Sequence, residues 1–310
     1  MARIPWGELP AEVRGWAERT LGSAVVSATS MAGGFSPGAA CRLRLANGET
    51  AFLKAVSASA NPEAPDFHRR EARVAGAMPG GVPAPRFRGV LDTGEWVALL
   101  FDDAGGRPPA QPWQAAELRA VVAALRRLHE SLTPSPSGVA PVAGERLRGM
   151  MGGWRELAVG AVAAERDGDA GSWWQRNLDR LADLEDGWES ACAGNTLLHL
   201  DLRADNVLIT ADGVMFVDWP GACVGAGWFD VAFFAPSVEL DGGPPPESLL
   251  AWYGADVPGE TLAAGVAAIA GFFTHGARQP APPGLPTLRD FQEAQGIPAR
   301  AWLQRLTGWS

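Results

Sequence analysis

The run L-L-H-L-D-L-R-A-D-N-V-L-I-T, residues 197–210, sets two apolar stretches around a polar break that holds Asp201 and Asn206. Shortly after it, V-M-F-V-D (214–218) is another apolar stretch and ends on Asp218. The stretches 206–210 and 214–218 read as short strands joined by the turn sequence Ala211-Asp212-Gly213. A carboxylate, an amide and a second carboxylate at strand edges are hard oxygen donors. They suit a divalent cation whose remaining positions are filled by water and phosphate oxygens. His199, two residues before Asp201, is open to two readings: a metal ligand, or a structural group that braces the loop. No other His or Cys lies near it in sequence, which favours the brace.

Around this run the chain changes character. Helices are predicted at 113–132, 173–193, 259–275 and 288–306 from apolar periodicity. Upstream the pattern is strand-rich. C-R-L-R-L-A-N-G-E-T-A-F-L-K-A-V (41–56) alternates apolar and polar about Asn47-Gly48, a hairpin signal, and 85–91 and 95–101 are further strand candidates. One helix is expected near 8–19. A second begins in N-P-E-A-P-D-F-H-R-R-E-A-R-V-A-G-A-M (61–78), with Asn61 as cap and Pro62 at the first helical position. D-D-A-G-G-R-P-P-A-Q-P (102–112) breaks the pattern as a linker does. The segment 133–172, rich in Pro, Gly and Ala, takes no assignment. The expectation is a small strand-rich lobe, 1–103, a hinge, and a larger helical lobe, 104–310. Ligand clefts are common at such junctions.

Lys54 is the sole lysine of the 310 residues. In the strand reading it shares a face with Phe52 and Val56, so its ammonium is partly desolvated and needs an anion. On the next helix Phe67, Glu71, Val74 and Met78 form one stripe, and Glu71 is its only carboxylate. Pairing of Lys54 with Glu71 solves both problems. A lysine snorkelling to solvent beside a glutamate at the stripe's edge is the alternative, and these two segments alone leave both open.

G-F-S-P-G (34–38) matches the serine-hydrolase pattern G-x-S-x-G, but Pro37 offers no N–H for an oxyanion hole and a strand pattern comes next. As a phosphate loop, Gly33 to Gly38 fails because Ala39 and Ala40 stand where Lys and Ser/Thr belong. A flexible turn whose backbone N–H groups and Ser36 hydroxyl lie over phosphates remains, beside a plain surface hairpin. The net charge of −9 argues against a nucleic-acid partner. Three scattered cysteines, Cys41, Cys192 and Cys223, fit neither a disulfide framework nor a zinc site. M-A-R-I-P-W-G-E-L-P lacks a secretion signal, and T-L-A-A-G-V-A-A-I-A-G-F-F (261–273) is too short to span a bilayer, so a cytoplasmic protein with no membrane partner is expected.

H-x-D-x-x-x-x-N from His199 to Asn206, together with the strand-ending Asp218, resembles the catalytic core of protein-kinase-like phosphotransferases. H-L-D-L-R-A-D-N-V-L-I-T and V-D-W are similar to signatures of the aminoglycoside phosphotransferase family of small-molecule kinases. A-L-L-F-D-D-A-G-G-R and G-F-S-P are similar to that family's nucleotide-binding segments, and the likeness runs from about residue 30 to 235. It implies an α+β, bilobal protein-kinase-like fold, with a small antiparallel-sheet N-lobe that binds nucleotide and a larger, mostly helical C-lobe that binds substrate. It implies that Lys54 contacts the α- and β-phosphates of ATP, oriented by Glu71. Gly34 and Ser36 would cover the phosphates, and backbone groups of Asp102 and Ala104 would meet the adenine. Asn206 and Asp218 would hold Mg²⁺, and Asp201 would take or align the acceptor hydroxyl's proton. Asp230 resembles an aspartate that supports the catalytic loop, with a simple helix cap as the other reading. The phosphate loop departs from G-x-G-x-x-G, Trp219-Pro220 replaces Phe-Gly, and Asp218 and Asp230 stand too close for an activation segment, which speaks against a protein substrate.

The implied activity is ATP-dependent phosphorylation of a hydroxyl on a small molecule, an aminoglycoside or other antibiotic. Choline, homoserine, a sugar or a macrolide are alternative acceptors. Asp241, Asp290 and Glu293 are available to amines, although a solvated face explains them equally. The rival class is a non-catalytic nucleotide-binding pseudokinase, whose usual mark is loss of the base, a metal ligand or the lysine. Lys54, Asp201, Asn206 and Asp218 are all present. Acceptor, ATP against GTP, and oligomeric state are not legible.

Overall fold

The computed structural model describes residues 3–31, 38–163, 172–282 and 285–310. The chain begins with α1 (Ala11–Leu21), β1 (Val25–Ser30), β2 (Ala39–Leu45), β3 (Thr50–Ser57), α2 (Ala64–Ala77), β4 (Phe87–Asp92) and β5 (Trp96–Asp102). Next come α3 (Ala115–Ser131), α4 (Ala143–Leu147), α5 (Gly153–Ala163) and three short helices, α6 (Trp173–Arg176), α7 (Leu178–Glu185) and α8 (Trp188–Ala191). Short strands β6 (Thr196–Leu198), β7 (Val207–Thr210), β8 (Gly213–Phe216) and β9 (Cys223–Gly225) precede α9 (Gly227–Leu240), α10 (Pro246–Tyr253), α11 (Gly259–Ala277) and α12 (Leu288–Thr307). Two compact units result. One is Met1–Pro109 with Pro136–Ala140 and Ala204–Ala222; the other is Ala110–Ser135, Pro141–Arg203 and Cys223–Ser310.

The first unit is built on an antiparallel five-stranded sheet of order β1-β2-β3-β5-β4. At the β2–β3 turn only Gly48 takes positive φ, 89°, while Asn47 caps it by accepting the Glu49 N–H. Alternation along β3 divides the sheet's two faces. Leu53 goes to the core under α1 with Cys41, Leu43 and Leu100, and Val56 to the core under α2 with Leu99 and Phe101. Fully burying each such leucine is worth about 1.5–3 kcal/mol. Lys54 lies on the α2 side, opposite Leu99 in the ladder.

α2 starts later than its cap signal suggests. Asn61 makes a turn, its side chain accepting the Glu63 N–H and its carbonyl the Ala64 N–H, and Pro65 rather than Pro62 occupies the first helical turn. The buried stripe is Ala64, His68, Glu71 and Val74. Phe67 is exposed instead, under the Arg70 guanidinium at 4.5 Å.

The β7–β8 hairpin belongs to the first unit although it lies a hundred residues downstream. Arg107 and Ile209 exchange both backbone hydrogen bonds, and Phe216 donates to the Pro83 carbonyl. The predicted linker is therefore partly a sheet-like contact, and Gly106 is required there because a Cβ would stand 2.5 Å from the Ile209 carbonyl.

The second unit is helical. The apolar run on α11 is a core helix; among the described residues no helix is long and apolar enough to cross a membrane. α5 crosses α11 at glycines, since a Cβ on Gly153 would lie 2.2 Å from the Gly271 carbonyl. Trp154 is fully buried in that crossing and donates its indole N–H to the Ala267 carbonyl at 2.8 Å.

Candidate active site

Lys54 Nζ lies 2.8 Å from Glu71 Oε1 and 2.8 Å from Asp218 Oδ1. β3 aims the ammonium at α2, and the inward position of Glu71 on that helix supplies the counter-charge. The pairing reading of Lys54 holds over the snorkelling one. Burial opposes the Lys54 charge, but Asp218 and Glu71 outweigh it and hold the ammonium well above its ordinary pKa. At Glu71 burial pushes the carboxyl upward and Lys54 pulls it back.

Asp218 takes φ 71°, the left-handed region that a non-glycine residue enters at a cost of about 1–2 kcal/mol. Its neighbours fix it there. Val217 donates to the Asn206 carbonyl at 3.0 Å, and the buried Trp219 anchors its indole N–H on the Phe216 carbonyl. The same Val217–Asn206 bond brings the two predicted oxygen ligands to one end of the β7–β8 hairpin, which is why their spacing in sequence carried meaning.

Lys54, Glu71, Asn206 and Asp218 open onto a cavity of about 280 Å³. Met31, Ala40, Phe101, Leu208 and Val217 give it apolar walls, and Asp102, Asp103 and Ala104 line it as well. The Asp102 N–H is already donated to the Arg86 carbonyl at 2.8 Å. Arg42 pairs with Asp103 at 2.8 Å. Gly34 and Ser36 fall outside the described residues.

Asp201 belongs to the second unit. There the backbone of the loop is held from below by one side chain. Leu200 takes φ 58°, and the fully buried Asp230 accepts the N–H of His199 and of Leu200, both at 2.7 Å. The Asp201 N–H points to His199 Nδ1 at 3.2 Å, so His199 is a brace. Asp230 lies in the first turn of α9, whose N-cap position is Ala226, and its carboxylate accepts from the loop N–H groups rather than capping its own helix. Burial would raise its carboxyl; the His129 ring and the backbone donors more than offset that and hold it below the ordinary range. His129 Nε2 stands 3.1 Å from Asp230, and His129 Nδ1 2.9 Å from the hydroxyl of Tyr253. Arg203 Nη1 lies 3.3 Å from Asp201 Oδ1.

A family model described as the phosphotransferase enzyme family matches residues 28–266. The chain belongs to that family. This phosphotransferase resembles solved structures across nearly its whole length. An aminoglycoside phosphotransferase from Alicyclobacillus acidocaldarius is 16% identical with TM-score 0.61, covering 99% of this chain and 97% of the other. A choline kinase from Streptococcus pneumoniae is 12% identical with TM-score 0.59, covering 96% and 99%. A macrolide 2'-phosphotransferase from Brachybacterium faecium is 18% identical with TM-score 0.57, covering 95% and 98%. No curated protein sequence matches significantly. The fold is protein-kinase-like, and the enzyme is a phosphotransferase.

Sequence reasoning reached Asp230 beneath the phosphotransferase's loop but missed His129 and Tyr253 behind it. His129 lies on the buried face of α3, and Tyr253 is the sole tyrosine of the chain. A lone tyrosine in a tyrosine-poor composition is a usable signal, but its partners are more than a hundred residues away.

Proposed function

We propose that this phosphotransferase moves the γ-phosphate of ATP to a hydroxyl of a small molecule, with Mg²⁺ held by Asn206 and Asp218. The observation that carries the reading is one ammonium, Lys54, gripped by Glu71 and Asp218 at 2.8 Å each in a cavity that also contains Asn206. An amide and a carboxylate are a hard but incomplete donor set. Among the described residues no group of three His, Cys, Asp or Glu could hold a metal. A cation here needs phosphate oxygens and water to fill its shell, which is how Mg²⁺ is used in phosphoryl transfer. When bound, it neutralises charge developing on the phosphates.

The chain's own residues do the rest. Lys54 steadies the α- and β-phosphates as a compact point charge, and Glu71 aims it. The apolar walls take the base, with backbone groups near Asp102 and Ala104 meeting its edge. By resemblance, Gly34 and Ser36 cover the phosphates. Asp201 accepts the hydroxyl's proton as that oxygen bonds phosphorus and the bond to the β-phosphate oxygen breaks. All three cysteines are buried and free, in keeping with a cytoplasmic enzyme. A role in antibiotic resistance follows if the acceptor is an antibiotic.

³¹P detection with Mg-ATP across aminoglycosides, macrolides, choline, homoserine and sugars tests the proposal. A new phosphate ester with one acceptor, abolished in Asp201→Ala, is expected. Nucleotide binding without transfer to any hydroxyl, or full transfer by Asp201→Ala, overturns it.

A further inference from the structure

The N-terminal arm brings a second cation to the charged end of the cavity. Arg3 lines it with Lys54, Glu71 and Asp218, and is half-buried there. The residues next to Arg3 in the chain fix its place. Ile4 donates its N–H to the Gly38 carbonyl at 3.1 Å, and Ile4 and Trp6 pack against the core beneath α1. Gly38 in turn presses on β3: with φ 143°, a Cβ there would stand 2.3 Å from the carbonyl of Ala55, the neighbour of Lys54. The arm is therefore pinned beside Lys54, which sets Arg3 in the lining of the cavity.

Its charge needs an anion. Burial lowers the Arg3 pKa, and Asp218 is the largest influence in the other direction. Lys54 and Arg3 offset Glu71 and Asp218 at this end of the cavity, whose lining also carries Arg42, Asp102, Asp103 and Asp205. A nucleotide changes that balance. Its phosphates add negative charge beyond what Lys54 can meet, and a cation coordinated by Asp218 removes the anion that Arg3 faces. Arg42, the other arginine of the cavity, is already committed to Asp103.

We propose that Arg3 is a phosphate-contacting residue of the nucleotide site, exchanging Asp218 for phosphate oxygens when the nucleotide binds. The inference rests on the nucleotide reading above and adds the N-terminal arm to the site. A guanidinium fork matches phosphate oxygens geometrically, and the contact is made only with the charged part of the ligand.

The test is calorimetric titration of the full-length protein, as wild type, Arg3→Ala and Arg3→Lys, with adenosine, ADP and ATP in the presence of Mg²⁺. Arg3→Ala is expected to weaken ATP by about 10-fold or more, the scale of one charged hydrogen bond. Adenosine affinity and the thermal midpoint of the free protein stay essentially at wild-type values, and Arg3→Lys recovers part of the ATP affinity. Equal weakening of adenosine and ATP, or a lowered midpoint with unchanged ATP affinity, makes Arg3 a structural partner of Asp218 and overturns the proposal. Failure of the wild type itself to bind ATP overturns the nucleotide reading, and this inference with it.

Discussion

Lys54 serves two purposes that substitution can separate. Its ammonium neutralises Glu71, whose side chain is only 3% exposed, and it is the cation assigned to the phosphates. Lys54→Met leaves a carboxylate buried without its partner, a loss of about 3–5 kcal/mol for pairs of this kind. Adding Glu71→Gln removes the orphaned charge, so most of that stability returns. Turnover does not return, because the phosphates still lack their cation; a fall of about 10²-fold or more in both variants is expected. Urea midpoints alongside phosphate-transfer rates check this. If the double variant regains activity together with stability, Lys54 is a structural residue only.

At the scale of elements, the loop before Asp201 is held by a helix as well as by its own His199. Leu200 keeps a left-handed backbone because Asp230 on α9 accepts both its N–H and that of His199. Asp230→Asn replaces one acceptor oxygen with a donor, and at least one buried N–H loses its partner, at a cost of about 1–3 kcal/mol. The nucleotide cavity is lined entirely by the other unit, so kcat should fall while ATP affinity stays near wild type. Equal loss in affinity and kcat counts against a role confined to the loop. A second element-level expectation concerns α5 and α11. Gly153→Ala drives a methyl into the Gly271 backbone, and a lowered thermal midpoint is the outcome to measure. Such contacts mark where sequence reading stops. Lys54, Glu71, Asn206 and Asp218 stood out as candidates because strand alternation, helix periodicity and hairpin spacing are local, although those patterns left the Lys54–Glu71 pairing open. His129, Tyr253 and Asp230 meet only through packing of α3, α10 and α9. Strand β1 escaped notice because its exposure follows no strict alternation, and β6 and β9 because they are three residues long. The helix read at 173–193 is three helices, interrupted at Asn177 and at Asp186-Gly187. Asn177 turns its side-chain amide back onto the Trp173 carbonyl, competing with continuation of the helix.

Across the whole molecule, two buried groups, His68 in the first unit and Glu185 in the second, answer acid with opposite signs. His68, in the first unit, is buried beside Lys54, and burial with that charge lowers its pKa to about 4. Between about pH 6.5 and 4 the unfolded chain takes up a proton that folded His68 refuses, so its contribution is lost as pH falls. Glu185, in the second unit, is buried against the start of α5, where it accepts the N–H of Gly152 and Trp154. Burial outweighs those donors and raises its carboxyl to about 7. Between about pH 7 and 4.5 folded Glu185 holds a proton that the unfolded chain has released, so its contribution grows as pH falls. Each effect is on the order of 2 kcal/mol between pH 7 and 5. The expected signature is a divergence of variants. His68→Gln should lose less stability than wild type when denaturant unfolding is moved from pH 7 to 5, and Glu185→Gln should gain less. Parallel pH slopes for wild type and both variants would mean that neither group titrates differently in the folded and unfolded chains.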